Sequence, residues 1–197
     1  MHIWRKKPSK VVAKMKPQDQ AAQPTPRDSS WERKLTSILL VIYLVLLTWS
    51  ILFKLATNLD QLVWGSYRQV NLIPFAGSAI VNGHIQLNEI VLNGLAFVPL
   101  GLYFQMIWGS RWHFGQKLAL VIAISASYEA LQYLLGIGAT DITDLLMNTT
   151  GGLVGLCLYS ALARIFGDGI RRVLVILALI ATLLLVLLLG LLIGLNR

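Results

Sequence analysis

Apolar residues in this chain fall in long, nearly uninterrupted blocks, and polar residues are concentrated in the short stretches between them. Five blocks approach the roughly 20 residues that carry an α-helix across the hydrocarbon layer of a bilayer: residues 35–53, 90–108, 118–135, 145–166 and 173–195. The last is the cleanest. Residues 62–80 are weaker, because Trp64, Tyr67, Arg68, Asn71, Pro74 and Gly77 interrupt them, and the stretch reads as an interfacial or re-entrant loop. The pattern predicts an all-α, polytopic membrane helix bundle of about five transmembrane helices with one such loop on its outer side.

Charge then orients the bundle. The formal net charge is +8, which in another chain would suggest nucleic acid, but here the Lys and Arg residues follow the positive-inside rule. With the N-terminus inside, Arg33, Lys34, Arg111, Lys117, Arg164, Arg171 and Arg172 all join the basic tail on that side, and only Lys54, Arg68 and Arg197 lie outside. The loop 109–116 and the loop 167–172 carry basic residues, whereas the loop 136–144 carries acidic ones alone. Residues 1–34 mix Lys, Pro, Gln and Ser without an apolar core, so they read as a disordered basic cytoplasmic tail rather than a cleavable signal peptide. The partners this implies are membrane lipids, not nucleic acid.

Against such a background the polar residues within the spans stand out, since an ionisable group in hydrocarbon is costly and usually paired or functional. Followed at about 1.5 Å per residue, Asn93, Glu129 and Asn148 all fall in the outer half of their spans, and Asp141 and Asp144 sit at the same mouth. Residues three, four and seven apart share a helix face. Glu129 thus shares a face with Ser125, Gln132 and Tyr133, and Asp144 with Asn148, Gly151 and Gly155. These stripes describe one outward-facing polar pocket, with Gly151 and Gly155 read as a close helix contact.

Each candidate has more than one reading. Glu129 is a structural carboxyl, neutral and hydrogen-bonded to Asn93, Gln132 or Asn148, or a catalytic acid or base, or part of an ion site. Asp141, Asp144 and Asn148 offer oxygens that would suit Mg²⁺ or Ca²⁺, but Asp141 or Thr143 at a helix N-cap, with carboxylates in the first turn, accounts for the same residues. Residues 71–75 form a turn set by Pro74, or else Asn71 and Arg68 hold a lipid phosphate. The candidate catalytic residues are therefore Glu129, Asp141 and Asp144, and the candidate ligand-binding residues are Arg68, Asn71, Asn93, Glu129, Gln132, Asp141, Asp144 and Asn148.

No Walker loop, HExxH, CxxC pair or Gly-x-Ser-x-Gly elbow occurs. His2, His84 and His113 lie in separate regions on different sides of the membrane, so no shared metal site is expected, and neither a metal nor another cofactor is called for. Cys157 is the single cysteine and reads as a small apolar filler within its span. Gly136 and Gly138 resemble a dinucleotide loop in spelling alone.

Four ordered motifs carry a resemblance. Asn71-Leu72-Ile73-Pro74-Phe75, Asn93-Gly94-Leu95-Ala96-Phe97-Val98-Pro99-Leu100-Gly101, Tyr128-Glu129-Ala130-Leu131-Gln132, and the run from Thr140-Asp141 through Asp144 and Asn148 to Gly151-Gly152 resemble the signature of VanZ-like proteins. The resemblance divides the chain into the tail 1–34, a four-span VanZ-like domain over 35–166, and an additional C-terminal transmembrane helix over 167–197. One departure stands inside it: many members carry an Arg just before the acidic pair, where this chain has Gly138 and Ala139, which leaves Asp141 without an obvious local partner.

What the resemblance implies is a multi-pass protein of the bacterial cytoplasmic membrane, N-terminus cytoplasmic, connected with teicoplanin resistance. Two functions from different classes fit. One is a non-enzymatic envelope factor whose pocket binds a lipid, a lipid-linked cell-wall precursor or a lipoglycopeptide. The other is a membrane-embedded enzyme acting on a lipid-linked envelope substrate through Glu129 and Asp141 or Asp144.

Overall fold

The computed structural model describes residues 30–53, 67–75, 80–81, 84–85, 87–167 and 169–195. Within them lie five helices long and apolar enough to cross a membrane, and the chain is a multi-pass membrane protein. The helices are α1 (Ser30–Phe53), α2 (Leu87–Trp108), α3 (Phe114–Leu135), α4 (Ile142–Phe166) and α5 (Gly169–Leu195). Their apolar surfaces face outward in large numbers, as in Val45, Leu95, Leu134 and Leu187, because the surrounding lipid is as apolar as a leucine side chain. Of the disordered tail expected over residues 1–34, residues 30–34 form the first turn of α1 instead, and residues 1–29 lie outside the described residues.

With lipid on every side, helices gain little by hiding apolar area from one another and must associate through close packing and hydrogen bonds. The sequence supplies this at one seam, between α2 and α4, which make the most extensive contact in the fold. Gly94 and Gly101 on α2 meet Gly151, Gly152 and Gly155 on α4 with backbone against backbone. A Cβ added to Gly151 would sit 1.9 Å from the carbonyl oxygen of Gly94, and one added to Gly155 would sit 2.1 Å from that of Val98. On its other side Gly152 receives Val121 of α3, whose Cγ1 would lie 2.4 Å from an added Cβ. Phe97 stacks edge-on against Tyr128, so α3 is keyed into the same centre. Thr48 of α1 hydrogen-bonds the Tyr128 hydroxyl at 3.0 Å, and the Tyr43 hydroxyl donates to the Ala96 carbonyl.

The described part is not purely α-helical. Two short strands, β1 (Tyr67–Asn71) and β4 (Ile137–Asp141), pair in parallel, and the strand pair β2 (Ile80–Val81) and β3 (His84–Ile85) is antiparallel. The acidic loop that the sequence presented as a plain helix connection is therefore a strand. The reason is backbone accounting: a chain that leaves a helix at the edge of hydrocarbon still needs partners for its N–H and C=O groups, and β1 provides them in the register Tyr67 to Ile137 through Asn71 to Asp141. Within the stretch 62–80, expected to be an interfacial or re-entrant loop, residues 67–71 form this strand; residues 62–66 and 76–79 lie outside the described ones.

At the opposite end, Lys117 is 2% exposed. Its ammonium donates to the Gly109 carbonyl at 2.7 Å and to Gln105, so it caps the carbonyl end of α2, where a cation also answers the helix dipole. Arg172 of α5 bonds Glu32 of α1 at 3.1 Å. Cys157 turns outward from the bundle rather than filling it, since its side of α4 lies away from the α2 seam.

The seam makes a prediction. Gly151→Ala or Gly155→Ala forces two backbones apart and should lower stability by about 1–3 kcal/mol, the range for overpacked cores. Gly190→Ala, with open space around an added Cβ, should cost nothing. Thermal unfolding of the purified variants in one detergent checks both.

Candidate functional site

The polar residues gather where α3 turns into α4. Helix α3 stops at Gly136, which takes φ 63° and ψ 33°, and its N–H closes on the Gln132 and Tyr133 carbonyls. This left-handed conformation suits a residue without a Cβ. The next five residues extend as β4, which ends on Asp141 in a β conformation that N-caps α4 by accepting from the Thr143 N–H at 2.7 Å. The capping reading of Asp141 is thus the one the fold realises.

Around that cap the hydrogen bonds interlock. Glu129 Oε2 accepts from the Asp141 N–H at 2.9 Å, and the Thr140 hydroxyl donates to the Glu129 carbonyl at 3.1 Å. The second oxygen of Asp141 accepts from the Asn71 amide at 3.1 Å, because strand register places these two residues opposite each other. Asn71 also accepts from the Ile73 N–H at 3.2 Å, and the Phe75 N–H donates to Thr143 Oγ1 at 3.0 Å. Phe75 stands at φ 63°, a left-handed conformation that costs a β-carbon residue about 1–2 kcal/mol and that the Thr143 contact holds. The segment 71–75 is consequently clasped onto the start of α4, with Leu72, Ile73 and Phe75 projecting outward.

One turn into α4, Asp144 accepts from the Asn93 amide at 2.7 Å. Deeper still, the Asn148 amide donates to Ser125 at 3.0 Å, and Gln132 donates to the Ile51 carbonyl at 3.2 Å. Asn148 Oδ1 and Gln132 Oε1 are buried and have no hydrogen-bond partner among the described residues. Acceptors predominate here: three carboxyl groups and two amide oxygens at one end of the bundle, with Glu129, Asp141 and Asn148 each no more than 5% exposed. Such an arrangement answers a donor-bearing or cationic group better than an anion. Among the described residues, no three His, Cys, Asp or Glu side chains are arranged to hold a metal ion.

The comparisons place this cluster in context. The model of the VanZ/LLP1 family matches residues 40–166, which contain every element of the site. The chain belongs to the VanZ/LLP1 family. It is also 38% identical over 121 residues to "Protein VanZ" of Enterococcus faecium, covering 61% of this chain and 71% of that protein. No solved structure matches. Helix α5 lies beyond the VanZ/LLP1 match.

Most of the residues singled out from the sequence do converge, but their partners differ from those expected. Glu129 bonds the backbone of Asp141, not Asn93, Gln132 or Asn148. Asp141, expected to have no obvious local partner, is held by Asn71 of a strand distant in sequence. Asp141 caps α4, Asp144 accepts from Asn93, and Asn148 donates to Ser125. Tyr133, on the expected stripe, is exposed. Arg68 sits on β1 opposite Gly138, and its side chain lies outside the described ones. Sequence reasoning passed over Thr140; its β-branched character in the run Ile137–Asp141 was the available sign of a strand.

The cap should be testable apart from any activity. Asp141→Ala removes an N-cap acceptor, worth about 0.5–2 kcal/mol, together with the tie to Asn71, and should lower the melting temperature clearly. Asp141→Asn, an equally good capping residue, should retain most of the stability. Unfolding of both variants followed by circular dichroism in detergent makes the comparison.

Proposed function

We propose that this protein lies in the bacterial cytoplasmic membrane with its N-terminus inside, that the strand-bearing end of the bundle faces outward, and that the polar site there binds an envelope lipid, a lipid-linked cell-wall precursor or a lipoglycopeptide, giving resistance to teicoplanin. The orientation is supported by the charges: Arg33, Lys34, Arg111, Lys117, Arg164, Arg171 and Arg172 all belong to the end away from the strands, as the positive-inside rule asks of a cytoplasmic face. Glycopeptides act outside the membrane on cell-wall precursors, which is the side this reading gives to the site. Membership of the VanZ/LLP1 family and the likeness to VanZ supply the link to teicoplanin.

The observation that carries binding over catalysis is how Asp141 is used. One of its oxygens accepts from Thr143 and the other from Asn71, so both hold the scaffold, and a step that protonated or alkylated either would weaken the cap of α4 or the tie to β1. Glu129 has one oxygen spent on the Asp141 N–H, an acceptor role that a glutamine would fill equally well. Catalysis on a lipid-linked substrate is the second reading, and the buried acceptors of Gln132 and Asn148 beside the Glu129 face of α3 favour it to the extent that they would orient a donor group against that carboxyl.

Expression in a sensitive bacterium at matched membrane levels decides between them. Wild type should raise the teicoplanin concentration needed to stop growth while leaving vancomycin nearly unchanged. Under the binding reading Glu129→Gln keeps most of that protection. Glu129→Leu loses it, because leaving the buried Asp141 N–H unpaired costs about 1–3 kcal/mol at the site. Loss with Glu129→Gln at unchanged melting temperature would move the balance to the enzyme. No shift with wild type would remove the resistance reading and leave a native envelope lipid as the ligand to seek.

A further inference from the structure

The segment at the end of β1 is built inside out. Its polar groups turn toward the protein: the Asn71 amide donates to Asp141 at 3.1 Å, its carbonyl oxygen accepts from the Ile73 N–H, and the Phe75 N–H donates to Thr143 Oγ1 at 3.0 Å. Its apolar groups turn away. Val70, Leu72, Ile73 and Phe75 are 55%, 72%, 67% and 53% exposed, and Pro74 among them is exposed as well. A turn bathed in water has the opposite polarity, whereas the spans of this chain, with Leu95 and Leu134 outward and Asn148 inward, share it.

Depth says what lies against those side chains. The span of α3 ends at Leu135 and that of α4 begins at Ile142, so β4 between them runs along the border of the hydrocarbon. Strand β1 pairs with β4 at a spacing of about 4.8 Å, and the Phe75 amide touches Thr143, the second residue of α4. The segment is thus tied to the level at which two spans leave the bilayer, and apolar side chains at that level bury among headgroups and upper acyl chains. Phe75 adds a separate observation. Its φ of 63° is one that glycine takes without strain, yet the position holds a large ring, about half of it exposed. A ring kept in a strained conformation and turned outward contributes through what surrounds the molecule.

We infer that residues 70–75 are a membrane anchor: Val70, Leu72, Ile73 and Phe75 insert into the lipid leaflet at the strand-bearing end of the bundle. Because the same segment is bonded to Asp141 and Thr143, the anchor holds the N-cap of α4, and with it the mouth of the polar site, at the lipid surface. The insertion does not depend on what that site binds.

The test uses the full chain carrying Cys157→Ala, with a single cysteine introduced by Leu72→Cys, by Ile73→Cys or, as a mid-span reference on the exposed side of α5, by Ile180→Cys. Each protein is labelled with the fluorophore NBD and placed, one chain per disc, in nanodiscs of palmitoyl-oleoyl phosphatidylcholine doped with 5-doxyl or 12-doxyl phosphatidylcholine. The Leu72→Cys and Ile73→Cys labels should be quenched about twofold better by the shallow nitroxide than by the deep one, as a burial near the headgroup boundary requires, and the Ile180→Cys label should show the reverse order. Iodide in the buffer should quench the Leu72→Cys label far less than it quenches NBD-labelled glutathione. Phe75→Gly, which removes the ring and the strain together, should raise iodide quenching of the Leu72→Cys label about twofold with helix content unchanged. Iodide quenching of the Leu72→Cys and Ile73→Cys labels equal to that of the glutathione would put the segment in water and overturn the insertion. Shielding of both labels from iodide and from either nitroxide lipid would put it under protein and overturn the insertion equally. Iodide access that Phe75→Gly leaves unchanged would overturn the part given to the ring.

Discussion

Everything else in this fold is hung on the contact between α2 and α4, where two backbones touch. In lipid the apolar surface of a helix gives no reason to choose a neighbour, so specificity has to come from shape and from groups that lipid cannot satisfy. The carbonyl of Gly94 occupies the space a side chain would take on Gly151, and nothing bulkier than hydrogen fits. That approach also sets the polar site. Asn93 stands next to Gly94, and Asp144 lies two turns ahead of Gly151, so the hydrogen bond between Asn93 and Asp144 is short because the glycines below it let the helices close. A wider seam would separate the donor from the acceptor.

The second constraint is that no backbone group at membrane depth can be left bare. The turn from α3 to α4 meets it by becoming a strand and borrowing partners from β1, and Asp141 meets it at the start of α4. Consequently the side chains that look most like chemistry are also scaffold. Asp141, Asn71, Thr143 and Glu129 hold one another and four backbone N–H groups, which ties the distant loop to the start of α4. A ligand that binds here meets a prearranged surface, and little ordering remains to be done on binding.

How far the sequence speaks depends on whether a residue is read by its neighbours along one helix or by partners across space. Span lengths, the stripe of Glu129 with Ser125 and Gln132, and the glycine spacing on α4 follow from helical geometry, and the structure has them in place. The strand pairing of residues 67–71 with 137–141 joins segments about seventy residues apart, and no local pattern reveals a register of that kind. For the same reason Asn71 and Asp141 were each recognisable as candidates while their pairing was not. Cys157 was misread in the other direction: being inside a span says nothing about which side of the helix faces the bundle, and its side faces lipid.

Helix α5 follows a different logic from the four helices of the family match. Only 6% of its spanning window is buried, so packing contributes little to keeping it in place, and its high hydropathy makes lipid itself its main partner. What locates it is concentrated at one end, where Arg172 reaches Glu32 and Val175 is fully buried. A helix fixed at one end and loosely packed along its length cannot close on α2 unless small side chains and glycines permit it, and here Ala178 and Ala181 face a channel instead of a glycine seam. The contrast with α2 and α4 is instructive. Where backbones touch, the chain has built a polar site; where they stand apart, an apolar groove is left between α1, α2 and α5.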